Sequence, residues 1–384
     1  MNSGSGTQEG VGLNGLLLAG RPLQEALPAL ALINQGHPLE STWCALGLGG
    51  PAALRQRALG FPDLHAAVTA WAADSGVEAN WVELLWHLYI PLTDWLGPRI
   101  QASRNSGRAH LLGLSAPQGA GKSTLEKILQ LLFERRCGLN TLGFSLDDLY
   151  LTRAEREDLA TRVHPLLVTR GVPGTHDHRL GVRLLHHLCG RDGTQVRVPR
   201  FDKSVDDRAP QARWQGASAD ADVVIFEGWC VGATPQKEAD LADPCNELER
   251  NEDPQGTWRH FVNAQLEGPY RRLFDPIDTL IYLSVPDFSV VAHHRLQQEE
   301  ALAMRLQRTS SGTELAQSRL MKRTDIERFV QHYQRITEHM LRTLPSRADV
   351  HIALNEARLP ISVGVMTTAD TAPGGGAQGD GDSA

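Results

Sequence analysis

The sequence is poor in cysteine, and the five it has do not pair. Cys44, Cys137, Cys189, Cys230 and Cys245 form no CxxC motif and no even framework. That argues against a zinc site or a disulfide scaffold and for a reducing compartment. No apolar run approaches the roughly 18 residues of a membrane span. No basic run stands out, and 38 Lys and Arg against 45 Asp and Glu give a net charge of −7. Such a balance offers no electrostatic case for nucleic acid or a membrane surface as the main partner. The first residues, MNSGSGTQEGVG, contain an acid, no arginine and no apolar centre. They read neither as a secretory signal nor as an organelle transit peptide. No internal repeat is present. These absences lead to an expectation of a cytoplasmic protein with a small-molecule partner. They leave the oligomeric state open.

What is there is ordinary globular composition, 41% hydrophobic and 22% charged over 384 residues. That length suits one large domain with an accessory one. Residues 1–12 are rich in Gly and Ser and read as loose. Residues 13–106 read as a helical N-terminal domain, because Leu, Ala and Trp recur at helical spacing. In NWVELLWHLYIPLTDWL, Trp81, Leu84, Leu85, Leu88, Leu92 and Trp95 fall at three- and four-residue steps. The simplest account of that stripe is core packing. Pro91 should kink or divide the helix.

From residue 109 the pattern changes. AHLLGLS, NTLGFSLDD, ADVVIFEGW and IDTLIYLSV are short apolar runs, each a candidate strand, and KSTLEKILQLLFERR is a helical run. Alternating strands and helices predict an α/β fold, a P-loop NTPase-type parallel sheet flanked by helices, over residues 107–360. The stretch from about 287 to 345 reads as helical. Residues 361–384 read as a disordered Gly-rich tail.

Residues 114–125, LSAPQGAGKSTL, resemble a phosphate-binding loop. The pattern G-x-x-x-x-G-K-[ST] cradles phosphates in backbone N–H groups at a helix N-terminus. Here Ala116 stands where the pattern has its first glycine. Alanine can make that turn if its φ is negative. Pro117, Gln118, Gly119, Ala120 and Gly121 complete the loop, followed by Lys122, Ser123 and Thr124. Gly119 and Gly121 let the backbone approach a phosphate, Lys122 reaches the outer phosphates, and Ser123 can hold Mg²⁺. The ligand expected is ATP with Mg²⁺.

Ligands of open parallel sheets sit at the carboxyl ends of the strands. Asp147 and Asp148 end one apolar run and Glu227 ends another. Glu227 stands where a Walker B acid would be, able to bind Mg²⁺ or its waters. Asp147 is the candidate base for an acceptor hydroxyl. The structural alternative for the acid pair is a helix N-cap beside a surface acid. Two polar loops follow, with Tyr150, Arg170, His176 and Asp177 near the first and Asp202, Lys203 and Arg208 in the second. Their cations would suit an anionic substrate, and ordinary surface ion pairs are the alternative. Arg295, Arg305 and Arg308 lie on a C-terminal helical segment that could close over the phosphates or simply stay exposed.

In order along the chain stand YIPLTDWL, GLSAPQGAGKSTL, SLDDLYLT, RGVPGTHD, PRFDKSVDDR, VVIFEGW, VN at 262–263 and RLQQE at 295–299. Together they resemble the plant-type D-glycerate 3-kinase family, in the wider group of uridine kinase, phosphoribulokinase and bacterial pantothenate kinase. The resemblance runs from about residue 85 to 345, and in that family alanine at the first loop position is usual. It implies ATP-dependent phosphorylation of D-glycerate at the 3-hydroxyl, with Lys122 and Ser123 at the phosphates and Mg²⁺ and Asp147 at the base position. The segment after RFDKS is shorter than the family's Gly-containing loop, and the first hundred residues match nothing beyond YIPLTDWL. A kinase of another small alcohol, with Phe201 as the one aromatic available to clamp a nucleoside base, is the enzymatic alternative. A non-catalytic nucleotide-binding module is the other.

Overall fold

The computed structural model describes residues 12–20, 22–297 and 323–366. Ten strands occur in chain order: β1 (His110–Ser115), β2 (Thr141–Ser145), β3 (Gln195–Val198), β4 (Phe201–Asp202), β5 (Asp207–Arg208), β6 (Gln215–Ser218), β7 (Val223–Gly228), β8 (Thr279–Ser284), β9 (Val350–Leu354) and β10 (Pro360–Val365). Six of them form one sheet in the order β10-β9-β8-β1-β7-β2. All its pairings are parallel except β9 with β10. The apolar runs expected as strands are β1, β2, β7 and β8. β1 and β7 are buried at every position, as strands covered on both faces must be. The pairs β3–β6 and β4–β5 are separate two-stranded ladders that shape the loops beyond β2.

Side chains alternate across the sheet and divide the core in two. Leu112, Leu114, Ile225, Ile281 and Ile352 face one way and pack with Trp43, Phe61, Leu85, Trp86, Leu92 and Ile100. Leu111, Val224, Phe226 and Tyr282 face the other and pack with Leu184, Tyr270, Tyr333 and Met340. The helical N-terminal region expected over 13–106 is therefore one wall of the same core. It is also tied on by Arg136, whose guanidinium bonds Asp94 at 2.9 Å and the Gln56 carbonyl at 3.0 Å.

Pro91 divides its helix as expected, by a specific route. Helix Trp81–Leu84 passes into a π-helical turn, Leu85–Tyr89, and then into helix Ile90–Asn105. A proline has no N–H for the carbonyl four residues back. That carbonyl, His87, accepts from Trp43 Nε1 at 2.8 Å instead. The Trp86 carbonyl accepts from Arg57 at 3.1 Å. The stripe residues Trp81, Leu85, Leu88, Leu92 and Trp95 are all buried.

One boundary is corrected. The sequence reads as tail from residue 361, yet 361–365 belong to strand β10. ISVGV is short and ends next to Gly- and Thr-rich sequence, so it looks like tail. Its backbone pairs with β9, and its Val363 carbonyl accepts from Thr42 Oγ1 at 2.5 Å. β9 (Val350–Leu354) lies beyond the stretch that reads as helical and is marked by no separate signal in the sequence. The expected helical stretch includes helix Arg323–Thr343 and residues 288–297. Arg305 and Arg308 lie outside the described residues.

Candidate active site

The loop after β1 has the backbone that a phosphate cradle requires. Gly119 and Gly121 take φ of 80° and 88°, where a side chain would be strained. Gly121 is the N-cap of helix Lys122–Cys137, so the first N–H groups of that helix point at the cleft. Ala116 is fully buried. The only described non-glycine residues with positive φ are Arg191, Asp206 and Arg358. Ala116 thus makes the turn with ordinary geometry, which is why its methyl group is tolerated. Pro117, Gln118, Gly119, Ala120, Gly121, Lys122, Ser123 and Thr124 line a cleft of ≈ 710 Å³ together with Asp147 and Trp229.

Three charged groups meet beside this loop. Glu227 sits near the end of β7, in register with Leu114 of β1 and Ser145 of β2. The Lys122 ammonium donates to its Oε2. Burial lowers the pKa of Lys122, and the negative charge of Asp147 opposes that shift. Asp147 stands on a 3₁₀ turn, Leu146–Leu149, just past β2, where its N–H is capped by Ser145 Oγ at 3.2 Å. Its Oδ1 accepts from the Tyr150 hydroxyl at 2.9 Å and its Oδ2 from Lys203 Nζ at 2.7 Å. Burial would raise the pKa of this carboxyl, but Lys203, Lys122 and the Tyr150 hydroxyl outweigh it and hold the value at about 2.

The oxygen donors present fit a hard divalent cation. Ser123 is exposed in the first turn of its helix, on the cleft wall, and Glu227 is 6% exposed. A hydroxyl, a carboxylate and phosphate oxygens form a set that Mg²⁺ accepts. Elsewhere among the described residues, His37, Glu83 and His87 bring three metal-type donors within 4.8 Å of one another. The two imidazoles stack face to face at 3.6 Å and 7°, so their in-plane lone pairs do not converge on one ion.

The remaining candidates separate into those that face the cleft and those that hold its walls. Asp148 turns away: its oxygens accept from Arg200 at 2.9 Å and from the Phe201 N–H at 3.1 Å. Burial raises its pKa. Arg208 donates to the Tyr150 carbonyl at 2.8 and 2.9 Å. Asp177 caps helix His178–Cys189 through the Leu180 N–H at 2.9 Å. Asp202 closes a local turn with Ser204. Arg170 bonds Asp206 and lies over the Phe201 ring at 5.4 Å. Arg295 lies over Phe329 at 5.9 Å. His176 is buried, stacked on Tyr150 at 4.4 Å, with Nδ1 2.5 Å from the Tyr270 hydroxyl. Burial pushes its pKa down to about 3, so it is a neutral brace for Tyr150.

Three aromatic residues outside the sequence-based site candidates together hold the RGVPGTHD loop. Trp229 Nε1 donates to the Gly171 carbonyl at 2.9 Å, Tyr333 to the Arg170 carbonyl at 3.1 Å, and Tyr270 accepts from the Gly174 N–H at 3.0 Å. Gly171 has φ of 137°, and a Cβ there would collide with the Tyr333 hydroxyl. Tyr270 and Tyr333 lie 94 or more residues from the loop positions they bond, so no local sequence signal marks them.

No family model matches the chain. Among relatives, it is 33% identical over 268 residues to the uncharacterized kinase mug58 of Schizosaccharomyces pombe, covering 66% of this chain and 91% of that protein. It is 32% identical over 232 residues to the chloroplastic D-glycerate 3-kinase of Arabidopsis thaliana, covering 57% of this chain and 48% of that one. The chain belongs to the D-glycerate 3-kinase family of P-loop kinases. As a member of this kinase family it is an ATP-dependent kinase. Its fold is also that of a solved D-glycerate 3-kinase from Cryptococcus neoformans var. grubii, with a TM-score of 0.57 and 23% identity over 72% of this chain and 99% of that one. The chain spans about half the length of the Arabidopsis kinase. No helix among the described residues is long and apolar enough to cross a membrane.

Proposed function

We propose that this kinase transfers the γ-phosphoryl group of ATP to the 3-hydroxyl of D-glycerate, giving 3-phosphoglycerate. One observation carries the choice of acceptor class. A hydroxy acid presents a hydroxyl and a carboxylate a few bonds apart. Asp147 and Lys203 present the complementary acceptor and cation, 2.7 Å apart, with Asp147 on the cleft wall beside the phosphate loop. The names of two of the similar proteins, from Arabidopsis and Cryptococcus, support the same substrate.

In this reading Lys122 leaves Glu227 and follows the outer phosphates. Ser123 and Glu227 would hold Mg²⁺, which supplies charge neutralisation at the phosphates. Lys203 moves from Asp147 to the glycerate carboxylate, with Arg170 and Arg295 as further cations around the acceptor. Asp147 then accepts the hydrogen bond of the 3-hydroxyl. A carboxyl at about 2 is a weak base, so it orients the hydroxyl and takes the proton late, after the new P–O bond has begun to form. Catalysis rests on positioning and charge.

The nucleoside alternative has less support. Phe201 is 9% exposed and packs edge-on against Tyr150 at 5.1 Å, so no open aromatic face awaits a base there. A cytoplasmic setting is part of the proposal, consistent with five free cysteines. The test is the product. ³¹P NMR of the reaction with D-glycerate should show a phosphomonoester on the primary carbon. Phosphorylation at the 2-hydroxyl, or none, would reject the assignment.

A further inference from the structure

We propose that the helical N-terminal region is part of the nucleotide site: its segment Gly76–Tyr89 forms one wall of the pocket for the planar base of ATP. This rests on the kinase reading above. The sheet order separates the two ends of the site. β1, which delivers the phosphate loop, lies between β7 and β2 on one side and β8 and β9 on the other. Asp147 follows β2, so the acceptor lies two strands from β1, about 10 Å away in that direction. The nucleoside end must then extend the other way, over β8 and β9.

The cleft continues there. Its lining passes from the phosphate loop to Leu283, Ile352 and Leu354 and on to Ala357, Leu359 and Pro360. The loop between β9 and β10 is fastened to the phosphate loop by Arg358, whose Nε donates to the Gly119 carbonyl at 2.8 Å. Beside this anchor Leu359 is 51% exposed, an apolar side chain without an apolar cover. The opposite lip comes wholly from the N-terminal region: Val77, Ala79, Trp81, Leu84 and Leu88 line the same cleft.

That lip is rigid. Gly76, with φ of 67°, ends helix Phe61–Ser75, and the Val77 N–H returns to the Ala72 carbonyl at 3.0 Å. Asn80 caps the next helix through the Glu83 N–H, and Trp81 packs edge-on against Trp71 at 6.1 Å. Val77 is half-buried and Ala79 is exposed into the opening. Two mainly apolar lips beyond a phosphate loop, with Glu78 on one and Arg358 on the other, form a slot for a flat heteroaromatic ring, which binds by stacking and burial.

The test uses the full chain and two ligands, ATP and inorganic tripolyphosphate, titrated by calorimetry. Tripolyphosphate carries the phosphates without the base. Val77→Glu places a charge on the lip and Ala79→Trp fills the slot; neither position is buried. Each should weaken ATP about tenfold or more, equivalent to roughly 1.4 kcal/mol. Each should leave tripolyphosphate affinity within twofold and the KM of the acceptor unchanged. ATP affinity that is unaltered in both variants overturns the inference and leaves the phosphate loop intact. Equal loss of ATP and tripolyphosphate also overturns it, because the substitutions would then act on the loop. A wild-type chain that binds neither ligand rejects the kinase reading and this inference with it.

Discussion

Replacing Lys203 by Met isolates the step that distinguishes a hydroxy-acid kinase from a generic one. The ammonium lies 2.7 Å from Asp147 Oδ2 but is 62% exposed. Solvent screening therefore limits the resting ion pair to about 1 kcal/mol, less than one pH unit of its effect on Asp147. With Lys203 gone, Asp147 rises from about 2 yet stays ionised at neutral pH. The base is not lost, and kcat at pH 7 should not fall on that account. The charge-assisted hydrogen bond to the acceptor carboxylate is lost. Such bonds contribute roughly 1.5–3 kcal/mol, which raises the acceptor KM by roughly 10- to 100-fold, while the ATP KM moves less than twofold. The sign of the pH effect follows from the depressed pKa. Stability from the Asp147 ion pairs is complete above about pH 4 and is lost as pH falls toward 2, so acid unfolding of Lys203→Met should be less steep in that window. Initial rates at varied acceptor and ATP, with an acid titration by circular dichroism, read both. An acceptor KM unchanged in Lys203→Met would refute the reasoning and make the pair an ordinary surface contact.

Other outcomes follow from the same geometry. Lys122→Met should lower kcat/KM by about 10²–10³, measured by ADP release. It should also leave Glu227, 6% exposed, without its cation, so the melting temperature should fall as well; restoring it with Lys122→Met plus Glu227→Gln, without restoring activity, separates the two effects. Gly171→Ala meets a φ of 137° and the Tyr333 hydroxyl. It should cost roughly 2 kcal/mol or more in urea denaturation, and Tyr333→Phe should recover little of it, because the ring remains.

The placement of the loop and of the strand-end acids was legible because it is local. The phosphate loop, the strand before it and the helix after it are contiguous, and Asp147 and Glu227 stand directly after apolar runs. What stayed hidden depends on contacts between distant segments. Asp147 and Asp148 are neighbours in sequence, yet Asp147 lines the cleft while Asp148 holds the Arg200 guanidinium and the Phe201 N–H. Arg208 reads as a substrate cation but serves the Tyr150 carbonyl. Tyr270 and Tyr333 become meaningful only once their helices are packed. The N-terminal region reads as a separate helical domain because its apolar stripe is self-consistent. Only the fold shows that the stripe completes one face of the sheet. β10 carries little signal in the sequence because a short edge strand has little periodicity and gains its stability from pairing.

The most direct measurement is coupled ADP release with ATP–Mg²⁺ across D-glycerate, L-glycerate, uridine and pantothenate, with Asp147→Asn alongside the wild-type chain. The account predicts turnover on D-glycerate alone, reduced by about 10²–10⁴ in Asp147→Asn with the ATP KM little changed. Turnover on uridine or pantothenate in preference to D-glycerate, or an Asp147→Asn chain as active as the wild type, would contradict it.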